Sequence, residues 1–164
     1  MKKKKVINQK VRNATVISYY GITFKSKLEL YCYKKLKEID IPFEYEERTF
    51  ELIPSFEFTN DSYELFRKKG ERYFGPQHNH IRNMTYTPDF VGPGWIIETK
   101  GNPNESFPLK WKLFKKYLMD NQLHINLYMP RNQKQIDEVI DIIKKQYETN
   151  KIAREGLLQS KKSK

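Results

Sequence analysis

Thr85-Tyr86-Thr87-Pro88-Asp89-Phe90-Val91-Gly92-Pro93-Gly94-Trp95-Ile96-Ile97-Glu98-Thr99-Lys100-Gly101 is the stretch on which the fold turns. Two apolar runs flank Gly92-Pro93-Gly94, which predicts a hairpin with strands over residues 86–91 and 95–100. No helix with Lys-Ser/Thr follows the glycines, so they make a turn and not a phosphate loop. On a strand, residues two apart share a face, so Glu98 and Lys100 project together while Ile97 and Thr99 point away. The turn folds Asp89 back toward them, and carboxylates from adjacent strands can converge on one hard cation. Two carboxylates and an amine so arranged suit metal-assisted phosphodiester hydrolysis. The ion stabilises phosphate charge and lowers the pKa of an attacking water, while Lys100 holds that water or neutralises developing charge. Duller readings stay open: a same-face ion pair for Glu98 and Lys100, a simple turn for Pro88-Asp89.

Upstream, residues 26–39 read as a helix, because Leu28, Cys32, Leu36 and Ile39 recur at spacings of four, four and three. Ile41-Pro42 ends it. Glu29 could add a further carboxylate to the site, although Ser26-x-x-Glu29 is equally a capping box. Residues 16–20 are rich in Val, Ile and Tyr, and Gly21 breaks that run. Phe43 and Tyr45 alternate with Glu44 and Glu46, and Phe50 and Leu52 with Thr49 and Glu51, which predicts two strands or one long bent strand. Residues 55–84 fit no single period and read as an insertion with a short helix over 61–69. Within it, His78-Asn79-His80 spells the letters of a nuclease motif whose members come from separated positions, so the string is set aside.

Downstream, a helix over 108–119 places Leu113, Phe114, Tyr117 and Leu118 on one side and Lys112, Lys115 and Lys116 on others, where they could meet phosphates. Ile125, Leu127 and Met129 share one face of a strand over 124–129. Asn132 with Gln135 opens a last helix carrying Ile136, Val139, Ile140, Ile143 and Tyr147. This order of elements predicts an α/β fold, a sheet with helices packed on it.

The chain has 164 residues, the length of one ordinary domain, and its hydrophobic share of 38% is enough for a core. Its net charge of +11 is concentrated at the ends. Residues 1–12 carry six positive charges (Lys2, Lys3, Lys4, Lys5, Lys10, Arg12) and no negative one, and residues 151–164 carry a net +4, which leaves the body near +1. Basic ends on a near-neutral body suit a polyanion, since each lysine that meets a phosphate releases a condensed counterion. The expected organisation is a basic N-terminal arm (1–15), a folded domain (16–149, with the insertion 55–84) and a basic C-terminal tail (150–164). The single cysteine, Cys32, has no partner for an intrachain disulfide. No signal peptide follows the opening lysines and no run approaches ~20 apolar residues, so the expectation is a cytoplasmic, non-membrane protein.

Phe24-Lys25-Ser26-Lys27-Leu28-Glu29, Phe43-Glu44-Tyr45-Glu46, Thr85-Tyr86-Thr87-Pro88-Asp89-Phe90 and Glu98-Thr99-Lys100-Gly101 resemble, in order and wording, the phage endonuclease I family. These are Holliday-junction resolvases within the PD-(D/E)xK nuclease superfamily. The resemblance implies a restriction-endonuclease-like mixed sheet flanked by helices, acting on branched DNA. It implies Mg²⁺, replaceable by Mn²⁺, bound by Asp89, Glu98, the backbone carbonyl of Thr99 and Glu29, with Lys100 assisting the water. The products would be nicks with 5′-phosphate and 3′-hydroxyl ends. It further implies a homodimer intertwined near residues 49–54, with Glu29 supplied by one chain and the other catalytic groups by its partner. The family joins the crossing strand to the Pro-Asp strand by a short link, whereas residues 55–84 intervene here. A long connection would let the helix fold back onto its own chain. A nicking or double-strand nuclease without junction preference, and a non-catalytic DNA-binding module, are the alternatives.

Overall fold

A computed structural model describes residues 16–68, 70–77, 79–101 and 106–162. The chain divides into two compact units, one formed by Met1–Arg48 with Pro88–Lys164 and the other by Thr49–Thr87.

The first unit is mixed α/β. It opens with a short hairpin, β1 (Ile17–Tyr19) and β2 (Ile22–Phe24), where the sequence predicted only an apolar run ending at Gly21. Helix α1 (Lys27–Glu38) follows, capped by Ser26 and ended at Ile39. A four-stranded sheet has the order β12 (Asn126–Tyr128), β11 (Trp95–Ile97), β10 (Phe90–Gly92), β3 (Glu44–Tyr45). β10 is antiparallel to both β3 and β11, and β12 runs parallel to β11 because α2 (Phe107–Asp120) makes the crossover between them. Pro93 and Gly94 form the two-residue turn, with Gly94 at the φ of +80° that a type II turn needs. Gly92 is required by close approach, since a Cβ there would stand 2.1 Å from the Trp95 ring.

One face of the sheet gives Phe90, Trp95 and Ile97 to the core, where they meet Cys32 and Leu36 of α1 and Ile136, Ile140 and Ile143 of α3 (Gln133–Lys162). Val91 and Ile96, on the opposite face, are equally buried, and α2 brings its own buried stripe of Phe107, Trp111, Phe114 and Leu118. The cap of α3 forms as expected at Gln135 N–H to Asn132 Oδ1 (2.9 Å), but the glutamine side chain returns to the Arg131 amide rather than to Asn132. The helix runs on to Lys162, so the boundary expected at 149/150 falls inside it. The apolar stripe weakens after Tyr147 although no proline follows to stop the helix, which is why pattern alone ends it early. No helix among the described residues is long and apolar enough to cross a membrane.

The second unit is a succession of two-stranded antiparallel ladders: β4 (Phe50–Ile53) with β9 (Met84–Tyr86), β5 (Phe56–Glu57) with β8 (His80–Ile81), and β6 (Ser62–Lys68) with β7 (Glu71–Gln77). Two expectations are corrected here. Within the stretch expected as a helix over 61–69, residues 62–68 are strand, because Tyr63, Leu65 and Arg67 alternate with Glu64 and Phe66 and pair across to β7. The segment read as one strand over 86–91 is divided: Tyr86 pairs with Phe50 in this unit, while Phe90 begins the β10 ladder. Pro88 has no N–H to give a ladder, and the interruption falls there.

Candidate active site

Asp89 stands one residue before β10, and Glu98, Thr99 and Lys100 follow β11 directly, so all four lie at the open end of the hairpin. The formal strand ends at Ile97, three residues short of the expected end. The extended course nevertheless persists, with the Glu98 N–H donating to Tyr128 O (2.9 Å) and the Lys100 N–H to Pro130 O (3.1 Å). Alternate amides facing β12 mean that Glu98 and Lys100 keep the strand period, and their side chains form an ion pair (Nζ–Oε1 2.6 Å). The intervening Thr99 amide faces the other way and donates to Asp89 Oδ2 (2.7 Å), which also accepts the Thr99 hydroxyl (2.7 Å). An Asp side chain thus occupies the place of a main-chain acceptor in the ladder. The Asp89 carbonyl accepts from the Glu46 amide (2.9 Å), and its own N–H donates to Glu98 Oε2 (3.3 Å).

Glu29 lies on the same chain, near enough for its charge to act on Asp89. It sits in the first turn of α1, 7% exposed. Its Oε1 accepts from Ser26 Oγ (2.9 Å), and its Oε2 accepts from the Lys25 amide (2.9 Å) and from the Tyr45 hydroxyl (2.9 Å). Ser26 Oγ in turn accepts the Glu29 N–H as the helix cap, while the Glu29 carboxylate reaches the Lys25 amide rather than that of Ser26. Tyr45 is carried to it by β3, where it pairs with Phe90 and packs between the rings of Phe24 and Phe90.

Electrostatics tie the three carboxylates together. Burial holds the Asp89 carboxyl well above the usual carboxylate range, the charges of Glu98 and Glu29 push it the same way, and the two Thr99 hydrogen bonds oppose them. Cys32, raised by burial and then by Asp89 and Glu29, lies within the same field. Among the described residues, no group of three or more His, Cys, Asp and Glu side chains is already arranged to hold a metal ion. The donor set still fits one. Asp89, Glu98 and Glu29 are all oxygen donors, 8%, 3% and 7% exposed, and their mutual repulsion is what a hard divalent cation relieves.

The chain belongs to the family described as protein of unknown function (DUF1064). The match covers residues 9–135, which contain every residue of the site. No curated protein and no solved structure gives a match.

Three groups around the site had no signal of their own in the sequence. Tyr45 read only as an apolar strand position. Lys25 pairs with Glu46; burial lowers its pKa, but Glu46, Glu29 and Asp89 together prevail and raise it. Phe107 lies under Lys100, with the ammonium 4.6 Å from the ring centroid. Of Lys112, Lys115 and Lys116 on α2, all exposed, Lys116 is paired with Asp120 (2.9 Å) and Lys115 lies over Trp111. Lys2, Lys3, Lys4, Lys5, Lys10 and Arg12 lie outside the described residues. A cavity of about 800 Å³ at the turn end of the hairpin, lined by Trp95, His124 and Gln146 among others, holds none of the site's side chains.

Proposed function

We propose that the chain is a metal-dependent endodeoxyribonuclease of the PD-(D/E)xK type, resembling the phage endonuclease I family, which hydrolyses phosphodiester bonds in branched DNA. The observation that carries this reading is the meeting of Asp89, Glu98 and Lys100 at one hairpin end, with Glu29 of α1 near enough for its charge to act on Asp89. The mixed sheet with α1 and α3 on one face supports the restriction-endonuclease-like fold that the resemblance implies.

Asp89, Glu98, Glu29 and the Thr99 carbonyl would hold Mg²⁺, or Mn²⁺ in its place. When bound, the cation supplies charge stabilisation at the phosphate and a lowered pKa for water. Lys100 stands beside Glu98 on a strand-like backbone, where its ammonium can orient the attacking water and offset developing negative charge. Thr99 fixes the Asp89 carboxylate by two hydrogen bonds, and Tyr45 with the α1 terminus fixes Glu29, so the acidic groups are positioned before DNA arrives. Cleavage leaves a 5′-phosphate and a 3′-hydroxyl. The basic N-terminal residues and Lys112, Lys115 and Lys116 supply phosphate contacts.

Resolution of a junction needs two opposed nicks, which a twofold homodimer supplies. One observation favours the simpler alternative of a nuclease without junction preference: the charge of Glu29 acts on Asp89 of its own chain.

Cleavage of plasmid, linear duplex and a synthetic four-way junction, with Mg²⁺ and with EDTA, tests the reading. Metal-dependent cutting is expected, fastest on the junction. Asp89→Asn, Glu98→Gln and Lys100→Ala should abolish it while DNA binding stays within about threefold, because few phosphate contacts are lost. Normal turnover in Asp89→Asn or Glu98→Gln removes the assignment. Mixing Glu29→Gln with Asp89→Asn chains should leave activity dead; restored nicking would mean that sites are shared between chains.

A further inference from the structure

The β6–β7 hairpin sorts its side chains by face. In the observed register Tyr63 lies opposite Pro76, Leu65 opposite Phe74 and Arg67 opposite Arg72, and all six share one face. Glu64, Phe66, Glu71 and Tyr73 lie on the other, where Phe66 stacks on Tyr73 and the Tyr73 hydroxyl donates to Glu71. The first face carries no carboxylate and is open to solvent, with Tyr63 62%, Leu65 64% and Phe74 73% exposed.

Two features of that face are unfavourable for the unit alone. Apolar and aromatic side chains stand in water, and two arginines face each other directly across the ladder, an arrangement that destabilises a sheet. Among the described residues neither Arg67 nor Arg72 has an ion-pair partner. An anionic partner with flat apolar surfaces removes both penalties together. A single-stranded nucleic acid has that chemistry: phosphates for the guanidinium pair and base faces for the tilted Tyr63 and Phe74 rings, whose centroids are 6.3 Å apart.

We propose that the Tyr63, Leu65, Arg67, Arg72 and Phe74 face of this hairpin binds unpaired DNA, holding its phosphates on the arginine pair and its bases on the two rings. The choice of DNA among anions rests on the nuclease reading. The face itself does not depend on the catalytic groups.

The full chain in EDTA, with a mixed-sequence single-stranded oligonucleotide and the matching duplex as probes, tests this by anisotropy over a salt series. Tyr63→Ala with Phe74→Ala should weaken single-strand binding by about fivefold or more, the loss of at least one stacked base, and duplex binding by less than about twofold. Arg67→Ala with Arg72→Ala should flatten the slope of log K against log salt for the single strand by about 1.4, two phosphate contacts. Arg67→Lys with Arg72→Lys should keep that slope, and Glu64→Ala on the opposite face should change neither probe. Unchanged affinity and slope in both double variants overturn the proposal. It is equally overturned if the aromatic variant turns a dimer into a monomer by light scattering with DNA affinity intact, because the face would then meet a second copy. Metal-dependent cutting by the parent chain, measured separately, distinguishes failure of the face from failure of the nuclease. Cutting with an inert face removes only this inference, and a binding face on a chain that never cuts removes only the nuclease reading.

Discussion

The two units use similar residues in opposite ways. In the first, aromatic and branched side chains from α1, the hairpin and α3 close on one another, and Phe24, Phe90, Ile96, Ile97 and Phe114 are fully buried. In the second, Phe56, Tyr63, Leu65, Tyr73, Phe74 and Ile81 are exposed, and Phe50 and Tyr86 are the buried hydrophobic residues among those described. The first unit is therefore held by burial, at ~1.5–3 kcal/mol for each fully buried large side chain. The second is held by backbone ladders and cross-strand pairs, each worth ~0.2–1 kcal/mol. A region stabilised by burial can also enclose charge, and Asp89, Glu98 and Glu29 lie there. A ladder cannot, but it can expose a surface.

The largest test of this contrast is a matched pair of truncations. Phe90→Ala should destabilise the chain by about 3–5 kcal/mol, the transfer energy of a fully buried ring plus the cavity left behind. Phe74→Ala, which deletes the same atoms in the second unit, should cost about 0.5 kcal/mol or less. Urea denaturation of both variants checks it. Comparable losses would mean that the β6–β7 face is covered in solution.

The same contrast explains what could be read in the sequence. In the first unit, period and burial agree: Leu28, Cys32 and Leu36 marked the inner face of α1, and Asn132 and Gln135 marked the start of α3. The pairing of Glu98 with Lys100 followed from the two-residue strand period alone. In the second unit no core selects the period, so the alternation of residues 62–68 was masked by neighbouring charges and read as a helix. At the site, Asp89 was legible and its anchor was not. The strand rule turned Thr99 away from Glu98 correctly, but could not say that its amide and hydroxyl would find Asp89. Tyr45 was hidden likewise, because a tyrosine in an alternating run signals packing and its hydroxyl partner lies sixteen positions away.

A test of intermediate size uses charge. The folded-state pKa of Asp89 is raised above its unfolded value near 3.9, by burial first and then by Glu98 and Glu29, so between those two pKa values the folded chain binds the extra proton. Stability from this group is therefore fully present below about pH 4 and lost as pH rises through the folded pKa. Without metal, Asp89→Asn should gain on the parent as pH is raised from about 4 to 8, by about 1 kcal/mol or more, since each unit of pKa is ~1.4 kcal/mol. Added Mg²⁺ should stabilise the parent and reverse the gain. A difference that is flat with pH would mean that the Thr99 hydrogen bonds outweigh burial and the neighbouring carboxylates.

The smallest test compares one hydrogen-bonding side chain from each unit. Ser26 Oγ accepts the Glu29 amide at 3.1 Å and donates to Glu29 Oε1 at 2.9 Å, in a partly buried helix start. Asn83 Nδ2 donates to Glu51 Oε1 at 2.7 Å, in the open. Distance alone would rank the asparagine bond first. Burial reverses the order, because an exposed pair exchanges readily with water while an uncapped helix amide loses a partner. Ser26→Ala should cost about 1 kcal/mol and Asn83→Ala about 0.3 kcal/mol or less by urea denaturation. Ser26→Ala also separates the two duties of Glu29. The Lys25 amide and the Tyr45 hydroxyl still hold Oε2 in that variant, so metal-dependent cleavage should stay within about threefold of the parent, whereas Glu29→Gln removes it. If both variants lose activity in proportion to stability, Glu29 is a cap and the site closes on Asp89 and Glu98 alone.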